Sequence, residues 1–375
     1  MSRTDRTAAA TAAATAAVTT AAATTTAATT TTATTTPTSE GSPTGPDAVP
    51  APSGPSATST TPSILVLGGT GLMGREVLGA LRRRGAPARA MVRDPARLAT
   101  LEGVEVVVGD LRDPASLRRA MMGIDVVFHI SPHEADEVEL TRGVIAACEA
   151  AGARLVFAGV HASAGNAFTS WLLRRFYGVM LPRYRGKLAL ARMVERSSTN
   201  PVVLVPSNFM QTDEVLLDVI RAGQFVQPAS RKGLNRVDVR DVGEAAARVL
   251  LDPTTPSGSY GLVGPRSLTG PECAGTWSEA LGVPVRYAGD DDAAMESALR
   301  AHLTGYRLDD WLSSFRALRT IAVTASRKEL EQTERLLGRR PTDFVDFVAR
   351  VVAEHAADAG TAAESGAQVA APATT

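Results

Sequence analysis

Cysteine is nearly missing from this chain of 375 residues: there are only two, Cys148 and Cys273, far apart and outside any C-x-x-C spacing. That scarcity excludes a disulfide scaffold and a thiolate metal centre, and leaves two idle thiols in a reducing cytoplasm as the expectation. An excess of charge is missing as well, because 39 Lys and Arg balance 39 Asp and Glu. Nothing in the total calls for a nucleic-acid or membrane partner. No apolar run approaches the ~20 residues of a membrane span. Arg3 and Arg6 precede an Ala-rich stretch, but threonine interrupts it every few positions, so it lacks the apolar run of a secretory signal. The chain is therefore expected to be soluble and cytoplasmic.

Large aliphatic side chains are the next absence. After Met1, residues 1–62 contain only Val18 and Val49 in a background of Ala, Thr, Pro, Ser and Gly. Such a segment cannot offset backbone ordering at about 1–2 kcal/mol per residue and is expected to be a disordered tail. Residues 355–375 are similar in composition, which confines the folded unit to 63–354.

Within that unit the most informative stretch is ILVLGGTGLMG, Ile64 to Gly74. A continuous apolar run suits a parallel strand buried on both faces, and Gly68, Gly71 and Gly74 follow it spaced G-x-x-G-x-x-G. Gly68 permits the tight turn, Gly71 lets the backbone approach a pyrophosphate, and Gly74 lets the following helix, Arg75 to Arg83, pack closely on the sheet. The segment Gly68, Thr70, Gly71, Leu72, Met73 and Gly74 then forms a cradle whose helix N-terminus turns free N–H groups toward an anion. A second strand, Ala88 to Val92, completes a βαβ unit of about 30 residues, the setting this motif requires.

Strands and helices go on alternating: strand 104–108, helix 114–122, strand 124–130, helix 135–151 and strand 154–158. Asp113 is placed to cap the helix that starts with Pro114. This pattern predicts an α/β fold, a doubly wound parallel sheet of the Rossmann type, with ligands at the carboxyl ends of the strands. The core spans about 63–205 plus 235–262, including a strand and helix in RVDVRDVGEAAARVLL. Residues 268–350 read as a small, mostly helical C-terminal lobe, apart from a strand near 283–287. The segment 161–183 is irregular, and 184–196 returns to helix.

The end of the second strand bears on the choice of dinucleotide. Arg93 stands there, about 20 residues past the glycines, where a carboxylate would hold the ribose 2′-OH of NAD(H) and a cation would meet the 2′-phosphate of NADP(H). NADP(H) is favoured over NAD(H). Asp94 caps the next turn or competes for the ribose. Asp110, after the third strand, accepts from the adenine amine, caps a turn, or does both.

The cradle, VRDPARL, GDLRDPASL, KLALARMVE from Lys187 to Glu195, VPSNFMQ, VDVRDVGEAAARVL and LLGRRPTDFVDFV occur in an order and spacing that resembles the NmrA-like family, an atypical branch of the short-chain dehydrogenase/reductase superfamily. The resemblance covers about 63–352. It implies a Rossmann fold with a small lobe and NADP(H) binding, in a family that includes quinone and azo reductases and also dinucleotide sensors that bind a protein partner without turnover. It also implies that Lys187 contacts the cofactor. The superfamily's Y-x-x-x-K pair is broken here, since Tyr184 and Lys187 are spaced Y-x-x-K, and Val160 and His161 stand where a serine is expected. A Tyr184–Lys187 pair on one helix face stays open.

His161, at the carboxyl edge of the fifth strand, is the leading proton donor because its side chain titrates near neutral pH. His129, late in the fourth strand, lies beside the path of the nicotinamide half or is a core residue. Reduction of a quinone can also draw its protons from water. Asn208 and Phe209 follow the sixth strand, where an acceptor pocket would open, and Phe209 could stack on a flat ring. Val205 replaces an arginine frequent in the family, which removes a cation from that point.

Other signals carry less. The basic run Arg174 to Lys187 is one short patch in a neutral protein and does not indicate nucleic acid. His129 and His133 are separated by Ser131 and Pro132, which prevent a helix from presenting both to a metal. The sequence HASAG lacks the first glycine of a nucleophile elbow. Two functions remain: an NADPH-dependent reductase of a small flat acceptor such as a quinone, and a non-catalytic NADP(H) sensor with a protein partner.

Overall fold

The computed structural model describes residues 61–98, 102–132, 134, 136–159 and 184–369. Its centre is β1 (Ile64–Leu67), whose four aliphatic residues are all buried. β1 pairs in parallel with β2 (Ala88–Val92) on one side, Ile64 opposite Ala88, and with β4 (Val126–Ile130) on the other, Ile64 opposite Val126. β3 (Val104–Val108) closes one edge, and β5 (Arg154–Ala158), β6 (Val202–Pro206) and β10 (Gly258–Leu262) continue the other. The order β10-β6-β5-β4-β1-β2-β3 is all parallel, the doubly wound arrangement that the alternating pattern predicts. The chain leaves β1 toward β3 and returns through β4, so a crevice opens between β1 and β4 at their carboxyl ends.

Alternate residues of β1 feed opposite layers. Ile64 and Val66 pack with Val77 and Leu81 of α1 (Leu72–Arg83) and Ala246 and Val249 of α7 (Val239–Leu251). Leu65 and Leu67 pack with Leu117 of α2 (Pro114–Ala120), Val144 and Cys148 of α3 (Glu137–Ala151) and Leu190 of α4 (Tyr184–Glu195). The Asp113 side chain caps α2 by accepting from Ala115 N–H. α1 and α7 touch closely because Gly243 has no side chain; a methyl there would lie 2.7 Å from Glu76 Cβ.

The strand expected in RVDV differs from the prediction. It is β9 (Leu234–Val237), which lies outside the main sheet, between β7 (Asn208–Phe209) and β11 (Ser267–Leu268) in a small three-stranded sheet. The reason is chemical: Asn235 and Arg236 are buried and need polar partners that the aliphatic main sheet does not offer. Asn235 Nδ2 donates to the Gly264 carbonyl at 3.1 Å, and Arg236 pairs with Asp213.

Between these strands lie α5 (Thr212–Val215), α6 (Leu217–Arg221) and β8 (Gln224–Phe225). The lobe adds α8 (Gly270–Leu281), β12 (Arg286–Tyr287), α9 (Asp292–His302), α10 (Gly305–Leu318) and α12 (Phe344–Val369). One of its cores centres on Trp311, Phe315 and Met295, the other on Trp277, Phe347 and Val348. α11 (Arg327–Leu337) returns to the sheet layer, where Thr333 Oγ1 accepts from Val263 N–H at 3.0 Å.

Asp238, Arg240 and Asp241 tie these parts together. Arg350 Nη1 lies 2.7 Å from Asp238, Arg240 Nη2 lies 2.7 Å from Glu354, and Arg339 Nη2 lies 2.5 Å from Asp241. α12 runs from Phe344 to Val369, past residue 354, where the alanine-rich sequence favours helix.

Candidate dinucleotide-binding site

A cleft of about 460 Å³ lies at the carboxyl ends of β1, β2, β3 and β4. Its floor is the glycine segment. Gly68 adopts φ +79, a left-handed conformation that a side chain resists, and its carbonyl accepts from Gly71 N–H at 3.0 Å. Gly71 is the extended N-cap of α1; no side chain caps this helix and its first turn holds no acid, so its first N–H groups are free for an anion.

The other two glycines answer different needs. A methyl on Gly74 would lie 2.2 Å from the Gly68 carbonyl oxygen, so the helix could not sit where it does. A methyl on Gly71 would meet only that oxygen at 3.4 Å, an ordinary contact. The protein itself does not need the space above Gly71, and a pyrophosphate does; the cradle fits a dinucleotide. Thr70, Leu72 and Met73 line the same wall.

Arg93 follows β2 directly in the cleft wall and is joined there by Arg97. Among the described residues neither guanidinium has a carboxylate partner. Asp94 instead accepts from Ala96 N–H at 3.0 Å, which makes it a turn cap. Asp110 lines the cleft and also closes a turn by accepting from Arg112 N–H at 2.9 Å, so its two expected roles are compatible. Arg112 spans from this wall to the loop after β4, with Nε 2.8 Å from Asp136 and a further contact to Glu134. The hydrogen bond from Arg112 holds the Asp136 carboxyl below its usual range.

Beyond β1 the lining turns largely apolar: Ile130 at the end of β4, Pro132 after it, Leu140 of α3 and the buried Phe209 of β7, with Arg307 of α10 reaching in from the lobe. Two sequence-derived candidates are not in this wall. His129 is fully buried, with Nε2 3.2 Å from Thr141 Oγ1 and its ring 5.6 Å from Phe157. Burial pushes its imidazole down to about 3, so it stays neutral, and strand alternation gives the cleft position to Ile130 instead. Asn208 is also fully buried; its Nδ2 donates to the Asn235 carbonyl at 3.2 Å.

Lys187 stands one link behind the wall. Its Nζ lies 2.8 Å from Glu137 Oε2, and the same oxygen accepts from the cleft-lining Ser131 hydroxyl at 3.0 Å. Glu137, Ser131, Arg97 and Arg307 escape sequence reasoning. The only available signals were a serine directly after a strand and an acid in the first turn of a helix. His161 and the side chain of Tyr184 lie outside the described residues. Burial raises the Cys148 and Cys273 thiols to about 12, so both are inert at neutral pH. Among the described residues no helix is long and apolar enough to cross a membrane.

A profile of the NmrA-like family matches residues 60–297. The chain belongs to the NmrA-like family. This NmrA-like protein is 31% identical over 255 residues to the NAD(P)H azoreductase of Xenophilus azovorans, covering 67% of this chain and 83% of that one. It is 32% identical over 299 residues to the (4-alkanoyl-5-oxo-2,5-dihydrofuran-3-yl)methyl phosphate reductase of Streptomyces griseus, covering 78% and 98%. In fold it is similar to the Citrobacter triphenylmethane reductase complexed with NADP(H), with TM-score 0.64, 23% identity and coverage of 77% and 100%. It is also similar to an NADPH-dependent quinone oxidoreductase of Escherichia coli complexed with NADPH, with TM-score 0.62, 21% identity and coverage of 77% and 99%. This NmrA-like protein binds NADP(H), and the cleft with its glycine cradle is the candidate site.

Proposed function

We propose that this NmrA-like protein is an NADPH-dependent reductase that transfers hydride to a small, flat acceptor such as a quinone. The observation that carries the reading is one continuous cleft with a cationic end, at Arg93 and Arg97, and an apolar end, at Ile130, Pro132, Leu140 and Phe209. The NAD(P)H azoreductase and the (4-alkanoyl-5-oxo-2,5-dihydrofuran-3-yl)methyl phosphate reductase among its relatives support it. The α1 N-terminus and Gly71 hold the pyrophosphate, Arg93 and Arg97 hold the 2′-phosphate, and Asp110 accepts from the adenine amine. When bound, the reduced nicotinamide supplies the hydride. Ile130, Leu140 and Phe209 exclude water and give a flat acceptor an apolar surface to lie on. The reduced acceptor collects its proton from His161 or from water.

The commitment of Lys187 to Glu137 favours a second reading, a sensor that binds NADP(H) and reports to a protein partner. Titrating the full chain with NADPH and then adding a panel of quinones and azo compounds separates the two. Binding followed by NADPH oxidation is expected; binding with no turnover on any acceptor leaves the sensor. In the same assay Arg93→Ala should weaken NADPH about tenfold or more while changing NADH little, since only NADPH carries a ribose 2′-phosphate for a charge-assisted hydrogen bond at this position. An equal loss for both would remove Arg93 from the 2′-phosphate site.

A further inference from the structure

Ser131, Glu137 and Lys187 come from three different places in the fold: the residue directly after β4, the first turn of α3 and the first turn of α4. They converge on one oxygen, Glu137 Oε2, which lies 3.0 Å from Ser131 Oγ and 2.8 Å from Lys187 Nζ. The two charged side chains are 11% and 13% exposed. The backbone of α4 lies against the carboxylate, since a methyl on Gly186 would come within 3.2 Å of Glu137 Oε1. This arrangement differs from the nearby Arg112, Glu134 and Asp136, which are 42%, 38% and 40% exposed and screened by solvent.

The doubly wound fold assigns the β1–β2–β3 half to the adenosine end and the half starting at β4 to the nicotinamide. Ser131 is therefore the point at which the Glu137–Lys187 pair approaches the nicotinamide ring. That ring carries one more positive charge when oxidised than when reduced. A poorly screened carboxylate behind it favours the oxidised form, an ammonium favours the reduced form, and a close pair cancels. We infer that the Ser131–Glu137–Lys187 unit sets the relative affinity of the site for NADP+ and NADPH, with Glu137 and Lys187 acting as opposed positioning charges behind the Ser131 hydroxyl. Because that hydroxyl donates to Glu137, its oxygen is left to accept, which suits a carboxamide N–H or a ribose hydroxyl of either oxidation state. The inference rests on the reading of the cleft as an NADP(H) site and requires no acceptor to be known.

The test measures the dissociation constants of NADP+ and NADPH for the full-length protein by calorimetry, with melting temperature as the check on folding. Lys187→Gln, which leaves Glu137 unbalanced, should lower the ratio Kd(NADP+)/Kd(NADPH) on the order of tenfold, and Glu137→Gln should raise it by a similar factor. The double variant Glu137→Gln/Lys187→Gln should return the ratio to the wild-type value even if both affinities fall, an outcome that loss of packing alone does not produce. Ser131→Ala should weaken both nucleotides and leave the ratio within about twofold, because a neutral group does not tell the two charge states apart. Should Lys187→Gln fail to fold, Lys187→Met preserves the aliphatic stem and reads the same ratio. Single variants that move the ratio in the same direction, or not at all, overturn the inference while NADP(H) binding by the wild type stands. A wild type that binds neither nucleotide overturns the cofactor reading and the inference together.

Discussion

Gly71 and Gly74 sit three residues apart in one motif, yet a single added methyl has different consequences at each. At Gly74 the methyl would press on the backbone of Gly68 at 2.2 Å and of Gly69 at 2.8 Å, and neither can move without displacing β1 or α1. Gly74→Ala should therefore destabilise the fold by about 1–3 kcal/mol, the usual cost of overpacking, and abolish dinucleotide binding. At Gly71 the methyl has room, so Gly71→Ala should keep the melting temperature within a degree or two of the wild type, on the order of a few tenths of a kcal/mol, and still weaken NADPH by tenfold or more. Thermal unfolding and an NADPH titration of both variants check the separation; a Gly71→Ala variant that binds normally would show that the pyrophosphate does not pass above this residue. These roles are legible in sequence because turn geometry and close approach are local. The role of Glu137 is not, since its partners Ser131 and Lys187 lie 6 and 50 residues away and only the finished fold brings them together.

Strand existence is more legible than strand membership, and β9 shows why. Of the valines in VDV only Val237 is extended, because Asp238 caps α7 and Val239 begins it, and nothing local says which sheet receives the strand that Val237 ends. That is decided by Arg236, whose guanidinium pairs with Asp213 of α5 while Trp277 Nε1 of α8 donates to the same carboxylate at 2.8 Å. The guanidinium also lies 4.8 Å from the Phe344 ring of α12, so one buried ion pair joins β9 to α5, α8 and α12. Removing one partner of such a pair leaves an uncompensated buried charge, and Asp213→Ala should destabilise by about 3–5 kcal/mol in denaturant unfolding. A loss below about 1 kcal/mol would mean that the Met210 carbonyl and the aromatic ring hold the guanidinium without the carboxylate. The main-sheet strands need no such polar anchor. The aliphatic runs of β1, β4, β5 and β6 identify them from sequence, whereas the edge strand β10, Gly-Ser-Tyr-Gly-Leu, carries no such run and is no more legible than the small sheet.

Taken whole, the molecule joins its sheet layer to its lobe along a charged seam, with Glu76 on α1, Glu214 on α5, Asp238 and Arg240 around the start of α7, and Arg350 and Glu354 on α12. Balanced overall charge hides this concentration. Burial, followed by the Asp238 charge, pushes the Glu214 carboxyl up to about 7, and burial raises Glu76 as well. A carboxyl whose folded-state value lies above its unfolded value holds its proton more tightly in the native state. Its contribution to stability is therefore fully present below the unfolded value of about 4.5 and is lost as pH rises through about 7. Glu214→Gln keeps the shape of the protonated side chain and cannot ionise. Its melting temperature, measured against the wild type, should be nearly equal at pH 5 and clearly higher at pH 8, where the native wild type must place a second charge beside Asp238. A difference that stays constant between pH 5 and pH 8 would show that Glu214 ionises in the seam as easily as in water, and that Arg240 and Arg350 already neutralise both acids.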